Sequence, residues 1–188
     1  MKNLKTFVLA LLVAVGATQV QAQTKKVDAA KSKINWVGKK VTGEHSGTVN
    51  VKDGNLVFKG TALKGGTITV DMTSLTATDL SGEYQQKLNG HLKAEDFFGT
   101  DKFATSKIVF KKVADKGNGV FAVTADLTIK DMTNPITFDL TVKGDKATAD
   151  LKVDRTKFGI KYGSGSFFDN LGDKTINDEF ELKVALVL

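Results

Sequence analysis

The chain has 188 residues, no cysteine, one proline and a formal net charge of +6. Without cysteine the fold cannot use disulfides and must rely on packing alone. The lysines are interspersed with acids and form no basic stripe with stacking aromatics, which excludes the usual pattern of a nucleic-acid-binding protein. The charge pattern therefore indicates a solvated surface, and it leaves open a mild attraction to an anionic membrane.

Residues 1–22 have the three parts of a secretory signal peptide. Lys2 and Lys5 precede an apolar run over 7–15, and small and polar residues then lead to Ala22. The run is too short to span a bilayer comfortably and no second candidate follows, so we expect no stable membrane span. We predict cleavage after Ala22 and a periplasmic or secreted protein.

Residues 23–188 have the length of one domain with its own core. Several segments alternate apolar and polar residues, which predicts strands with one buried face. The clearest are 68–72, 121–129, 136–142 and 180–188. Weaker alternation marks 33–41, 47–51, 56–62, 106–113 and 147–153. Turn signals separate these segments at 52–55, 65–66, 116–119 and 144–145.

A series of eight to ten amphipathic antiparallel strands would leave exposed edges unless the sheet closed or stacked. We therefore predict an all-β fold, with a closed barrel preferred over a sandwich. Only Gly82–Glu95 breaks the pattern, because its apolar residues follow a helical period. The helical stripe contains Tyr84, Leu88, His91 and Leu92. The pair Asn89-Gly90 would weaken this helix.

The sequence offers few residues for catalysis. There are two histidines and no G-x-S-x-G motif, and Gly163–Ser166 lacks the lysine of a phosphate-binding loop. His45 and His91 could bind zinc with a carboxylate, but their separation matches no recognised ligand spacing. We therefore expect structural or pocket-lining roles for both histidines, with no metal, no cofactor and no enzymatic activity.

Two phenylalanine pairs stand in irregular segments, each beside an aspartate: Phe97-Phe98 and Phe167-Phe168. An exposed phenylalanine forgoes about 1.5–3 kcal/mol of burial, so something must cover such pairs. Two interpretations remain open. The pairs either plug the ends of the sheet as ordinary core, or form the rim of an apolar tunnel that holds a ligand.

Several ordered motifs resemble one known family. They are GHLKAEDFF at 90–98, KF at 102–103, IVF at 108–110, LTI at 127–129, PITF at 135–138 and RTKFGI at 155–160. Together they are similar to the YceI-like family of secreted lipid-binding proteins. The resemblance implies an extended, lipocalin-like antiparallel β-barrel of about eight strands with a short helical insertion. It also implies a long apolar channel for a polyisoprenoid or another amphiphilic lipid.

The resemblance implies which side chains line that channel: Trp36, Leu92, Phe97, Phe98, Phe103, Phe110, Phe138 and Phe158. The second phenylalanine pair joins them as mouth residues. Candidates to meet the polar end of the lipid are Arg155, His45, His91 and either Lys39 or Lys40. One departure is that Asp131 stands where the family has a turn glycine.

Three functions follow as hypotheses. The preferred one is a carrier or sink that sequesters a long-chain lipid. The alternative is an envelope interaction or structural protein whose barrel core is filled, and an enzyme acting on such a lipid is the least favoured. An exposed aromatic rim can also pair two barrels, so a homodimer is one expected assembly.

Overall fold

The computed structural model describes residues 21–188. Most of the predicted signal peptide, residues 1–22, lies outside this part, and its cleavage stays a prediction. The described chain forms strands, one α-helix and two 3₁₀ turns. The strands are β1 (Ala22–Lys26), β2 (Lys33–Lys40), β3 (Gly43–Lys59), β4 (Ala62–Ala77), β5 (Thr105–Gly117), β6 (Val120–Ile129), β7 (Met132–Lys143), β8 (Lys146–Asp154) and β9 (Ile176–Val187). Helix α1 spans Gly82–Lys93, and the 3₁₀ turns span Arg155–Phe158 and Gly172–Lys174.

The strands close into a barrel. Each strand from β2 to β9 pairs antiparallel with the next, and β9 returns to pair with β2. The predicted antiparallel barrel of about eight strands with a short helical insertion is therefore confirmed. Strand β1 is added outside this ring: it pairs with 55–59 of β3, whereas β2 pairs with 43–49 of the same strand.

The predicted turns at 52–55 and 65–66 are wrong. Strands β3 and β4 continue through these segments without a turn. The register of their pairing shifts after Val51 and after Val57, as at a β-bulge. A bulge inserts an extra residue and bends a long strand, so polar and glycine residues there imitate a turn signal. At Gly66 a Cβ atom would come within 2.6 Å of Leu56, so this glycine marks a close approach of two strands.

The two ends of the barrel differ. The helix end carries α1, the loop 94–104, the segment 155–175 and the β6–β7 hairpin. The opposite end carries the β3–β4, β5–β6 and β7–β8 hairpins, together with the N-terminal segment that crosses from β1 to β2. We call it the plugged end because tightly packed apolar side chains fill it. The plug consists of Val27, Leu56, Phe58, Leu63 and Phe121.

Helix α1 packs over the end of β4. The predicted stripe is correct for Leu92, which is buried, and for Leu88, which packs against the core. It is wrong for Tyr84, which is 75% exposed. From the sequence, Asn89 was expected only to weaken the helix, yet its side-chain amide oxygen accepts a hydrogen bond from the Ala77 N–H at 2.7 Å and so fastens the helix to β4.

Candidate functional site

A cavity of about 170 Å³ occupies the barrel interior above the plug. All eight barrel strands contribute to its wall, together with α1 and the loop that follows the helix. The wall is almost entirely aliphatic and aromatic, because the alternation in each strand turns its apolar face inward. The polar residues that border the cavity are Ser106, Arg155, Asn177 and Glu179.

The structure brings part of the predicted site together around this cavity. The predicted residues in the wall are Trp36, Leu92, Phe97, Phe98, Phe110, Phe138 and Arg155. The wall also contains residues that the sequence reasoning did not assign to a site, most of them on β4, β7 and β9. Among these are Ile68, Met72, Ile136, Phe180 and Leu182. Their only signal was period-two alternation, which indicates an inward face but cannot distinguish a cavity wall from a filled core.

The other predicted residues lie outside the wall. They are Phe103, Phe158, Phe167, Phe168, His45 and His91. Phe158 is fully buried in the 3₁₀ turn after β8, and Phe103 packs beside Gly99. Phe167 and Phe168 are 48% and 50% exposed.

Trp36 is held in the wall by a close contact with β3. The tryptophan lies directly opposite Gly47, and a Cβ atom there would sit 2.6 Å from the indole ring and 1.9 Å from the Thr76 carbonyl oxygen. Only glycine leaves room for the ring at this position. The indole Nε1 is buried and has no hydrogen-bond partner within residues 21–188.

Phe97 and Phe98 are presented by a tight turn at the end of α1. The N–H of Phe98 donates to the Leu92 carbonyl at 3.1 Å, and the N–H of Gly99 donates to the Ala94 carbonyl at 2.8 Å. Gly99 has φ of 57°, a left-handed conformation that favours glycine. The two rings contact each other edge to face, with centroids 5.3 Å apart, and both border the cavity. Each ring therefore belongs to the packed core and to the cavity wall at once.

Lys130 clamps this loop from the β6–β7 hairpin. Its ammonium donates to the carbonyl oxygens of Glu95 at 2.8 Å and Phe97 at 2.9 Å. Lys130 and Asp131 both have positive φ, so the hairpin keeps its tight turn without the family's glycine. The sequence offered no signal for this contact, because a turn lysine usually points into water.

Arg155 lies in the wall as a buried clasp. Its side chain is 2% exposed, and it donates to three carbonyl oxygens: Nε to Asn177 at 2.9 Å, one terminal nitrogen to Ile160 at 2.9 Å, and the other to Ile176 at 3.0 Å. These carbonyls belong to β9 and to the segment after β8, at the point where β8 has ended. The guanidinium therefore replaces the missing strand and holds the start of β9 in place.

Asp178 is the charge partner of this clasp. One of its carboxylate oxygens lies 3.6 Å from Arg155, and the other accepts from the Ser166 hydroxyl at 2.5 Å. Burial raises the pKa of Asp178, but the Ser164 and Ser166 hydroxyls beside it and the charge of Arg155 outweigh burial and hold the pKa below its ordinary value. Burial lowers the pKa of Arg155, against the opposing charges of Asp178 and Asp154.

The barrel wall is interrupted between β2 and β9 at the helix end. Gly38 pairs with Phe180 and Lys40 pairs with Ile176, so 177–179 of β9 stand opposite Lys39 alone. Asn177 and Glu179 border the cavity although both are exposed, and no atom lies within 4 Å of a Cβ placed on Gly38. The cavity therefore reaches the surface here, and we call this gap the bulge opening.

Aromatic side chains lie on both sides of the bulge opening, in the cavity and on the outer surface. Inside it, Phe98 contacts Phe180, with ring centroids 6.2 Å apart. Outside it, an exposed rim of Tyr162, Phe167 and Phe168 is tied to β9 through the hydrogen bond between Ser166 and Asp178. Of the two predicted phenylalanine pairs, only Phe167 and Phe168 face water, because Phe97 is buried and Phe98 half-buried.

The two histidines lie near the helix end without sharing a site. His45 is paired with Gly38 across β2 and β3, and its Nδ1 lies 2.8 Å from an Asp79 carboxylate oxygen. His91 stacks edge to face on Tyr162 and Phe97. Among residues 21–188, no three histidine or carboxylate side chains come together as metal ligands would. No helix in the same range is long and apolar enough to cross a membrane.

Comparison with known proteins agrees with this fold. A family model described as the YceI-like domain matches residues 26–188. A UPF0312 protein of Shewanella denitrificans is 31% identical over 99 residues, which are 53% of this chain and 50% of that protein. A UPF0312 protein of Staphylococcus aureus is 45% identical over 56 residues, 30% of each chain. Each matched segment thus spans half or less of the relative.

Solved structures share the architecture at low identity. BcnA of Burkholderia cenocepacia superposes with a TM-score of 0.64 at 24% identity, over 86% of this chain and 99% of that one. A polyisoprenoid binding domain from Saccharophagus degradans gives a TM-score of 0.57 at 14% identity, over 86% and 95%. These likenesses establish the fold. Because the family model covers nearly all of the described residues, the chain belongs to the YceI-like family.

Proposed function

We propose that this protein binds, without covalent chemistry, the hydrocarbon part of a long-chain amphiphilic lipid, of the polyisoprenoid class. The observation that carries the proposal is the apolar cavity that reaches the surface at the bulge opening. The Saccharophagus degradans structure with the same fold, which is described as polyisoprenoid binding, supports this class of ligand. We also propose that the protein works in the periplasm or outside the cell.

The energetics favour a hydrocarbon ligand. Each methylene that moves from water into an apolar wall gains about 0.8 kcal/mol, before the entropy of association is subtracted. The cavity volume is similar to that of engineered cavities of about 150 Å³ that stay dry and bind benzene. A longer chain therefore needs wall side chains to move, and Phe98 with Phe180 are placed to do so beside the bulge opening.

The polar end of the ligand belongs at the bulge opening in this proposal. Arg155 is less suited to meet it, because its donors are engaged by Asn177, Ile160 and Ile176. The exposed groups at the opening are Asn177 and Glu179, and Lys39 lies opposite them in a 2.8 Å ion pair with Glu181. His45 is one strand away. A neutral or zwitterionic polar end suits this mixed surface better than a multiply charged anion.

Organic extraction of the purified protein, followed by mass spectrometry, tests the proposal. We expect one long-chain lipid per barrel, or uptake of added polyprenol by protein that is purified empty. Protein that is empty and also ignores polyprenol and other long-chain lipids would contradict the proposal. That result would favour a barrel that acts through its outer surface.

A further inference from the structure

The plugged end of the barrel carries a ring of lysines. The ring consists of Lys25, Lys26, Lys59, Lys64, Lys143 and Lys146. Pairing of β1 with β3 places Lys25 opposite Leu56 and Lys26 opposite Asn55, three and four residues along β3 from Lys59, and the β7–β8 hairpin places Lys143 directly opposite Lys146. Like charges directly opposite each other on a sheet destabilise it. Lys143 and Lys146 therefore repel each other across the hairpin, and a neutral residue at either position would remove this repulsion.

Carboxylates do not neutralise the ring. None of the six lysines forms an ion pair within residues 21–188. Two acids stand beside the ring in sequence: Asp28, which binds Lys31 at 2.9 Å, and Asp145, which is exposed in the turn between Lys143 and Lys146. The six lysines therefore keep an excess of positive charge over these two carboxylates. The Lys25 ammonium lies 5.5 Å from the centre of the Phe58 ring, above the plug.

The helix end is mixed in charge, because lysines such as Lys40, Lys157, Lys161 and Lys174 stand there among the acids. Exposed carboxylates gather there: Glu83, Glu95, Asp96, Asp101, Asp169 and Asp173. The exposed large hydrophobic residues of the described chain also lie at that end, and none lies at the plugged end. The barrel is therefore polarised along its axis. A lysine ring without apolar groups marks one end, and mixed charges with aromatic residues mark the other.

We propose that the plugged end docks onto the headgroup plane of an anionic lipid bilayer. A plane of anionic headgroups needs only positive charge, and each lysine near such a surface adds to the attraction. Single-stranded nucleic acid would call for stacking aromatics, and a stable protein partner would call for aromatic or methionine anchors. The plugged end exposes neither. Docking in this way directs the bulge opening away from the bilayer, and it does not depend on what the cavity binds.

Vesicle co-sedimentation with two matched quadruple variants tests this inference. The first variant, K25Q/K26Q/K143Q/K146Q, neutralises the plugged end. The second, K40Q/K157Q/K161Q/K174Q, removes the same charge from lysines at the helix end that also lack an ion pair. Both leave the cavity wall unchanged, and cooperative thermal unfolding at or above the wild-type temperature confirms that both are folded.

Wild-type protein should sediment with vesicles of phosphatidylglycerol and phosphatidylcholine, and less so as salt is raised. The plugged-end variant should bind at least about tenfold more weakly, whereas the helix-end variant should change by no more than about twofold. Equal losses in the two variants would overturn the inference. So would equal binding to phosphatidylcholine alone, a failure of the wild type to bind anionic vesicles, or tighter binding to DNA than to vesicles.

Discussion

At the scale of single residues, Arg155 shows how a motif can predict a position without predicting its role. The sequence placed this arginine before a Phe-Gly step and suggested contact with a lipid headgroup. The structure buries it among backbone carbonyls with Asp178 beside it. The carbonyls of β9 cannot find donors on β8, which ends at Asp154, and the guanidinium supplies them.

Replacing Arg155 by methionine should therefore destabilise the barrel by about 3–5 kcal/mol, because it leaves Asp178 without its charge partner and three carbonyls without donors. Chemical denaturation measures the free energy of unfolding. Lys157→Met is the control: it removes a charge from an exposed site in the same 3₁₀ turn and should change stability by less than about 0.5 kcal/mol. Equal effects of the two substitutions would rule out the clasp.

Asp178 gives the barrel an acid-sensitive contact. Its folded-state pKa lies below the ordinary value, so its ionised form stabilises the fold above about pH 4, and that contribution is lost as the pH falls through the folded-state pKa. Asp178→Asn should be less stable than the wild type at pH 7, and the gap should narrow toward pH 3. Denaturation at a series of pH values measures the gap. A gap that stays constant with pH would contradict this assignment.

At the scale of elements, alternation predicted the strands well because each barrel strand separates water from an apolar interior. Strand β6 follows the predicted face over 121–129, and β7 and β9 follow it within the predicted segments, although both strands begin four residues earlier than predicted. The sequence failed where glycine serves packing. Gly54 and Gly66 lie inside long bulged strands, yet in sequence they look like turns. Contacts between distant residues, such as Lys130 with Phe97, leave no periodic trace at all.

Gly47 sets the spacing of β2, β3 and β4. Gly47→Ala should cost about 1–3 kcal/mol, because its Cβ atom would collide with the Thr76 carbonyl and the Trp36 ring. Thermal unfolding with tryptophan fluorescence measures both the stability and the displacement of the single indole. Gly65→Ala is the matched strand control, since nothing lies within 4 Å of its Cβ position. If Gly47→Ala and Gly65→Ala lowered the stability by the same amount, the packing argument would be refuted.

The loop that carries Phe97 and Phe98 should loosen when its clamp is removed. Lys130→Met leaves the carbonyls of Glu95 and Phe97 without their ammonium donor. Hydrogen exchange of the amides over 97–103 should then accelerate, while the barrel strands keep their protection. Lys102→Met, which breaks only an exposed ion pair with Glu95, should leave this exchange almost unchanged. Unaltered exchange in the Lys130 variant would show that the clamp does not hold the loop.

At the scale of the whole molecule, the barrel is closed at one end and interrupted near the other. The plug closes the cavity at one end, and the bulge opening gives it a route to the surface near the other. The sequence predicted the barrel, the helix and many wall residues, because these follow from periodicity and motif. Only the family resemblance implied a hollow interior. Periodicity could not predict it, since a cavity depends on how side chains from eight strands fail to meet.

The exposed rim of Tyr162, Phe167 and Phe168 is the surface on which two barrels would pair. A homodimer therefore stays a prediction of the sequence. Sedimentation measures the oligomeric state of each protein. If the rim is the interface, the wild type should sediment as a dimer and the Phe167→Ser/Phe168→Ser variant as a monomer. A dimer that survives both serines would place the interface elsewhere.

If the cavity holds the hydrocarbon part of a lipid, as proposed, a larger side chain in its wall should displace that lipid. Ala149 lies in the wall on β8, whereas Ala185 is exposed on the adjacent β9. Thermal unfolding first establishes that Ala149→Phe and Ala185→Phe are folded, and extraction with mass spectrometry then counts bound lipid. The added ring in Ala149→Phe should displace about five buried methylenes of the lipid and so weaken its binding by about 1,000-fold. We therefore predict at least a tenfold loss of bound lipid in Ala149→Phe and wild-type loading in Ala185→Phe. Full loading of a folded Ala149→Phe variant would contradict the account.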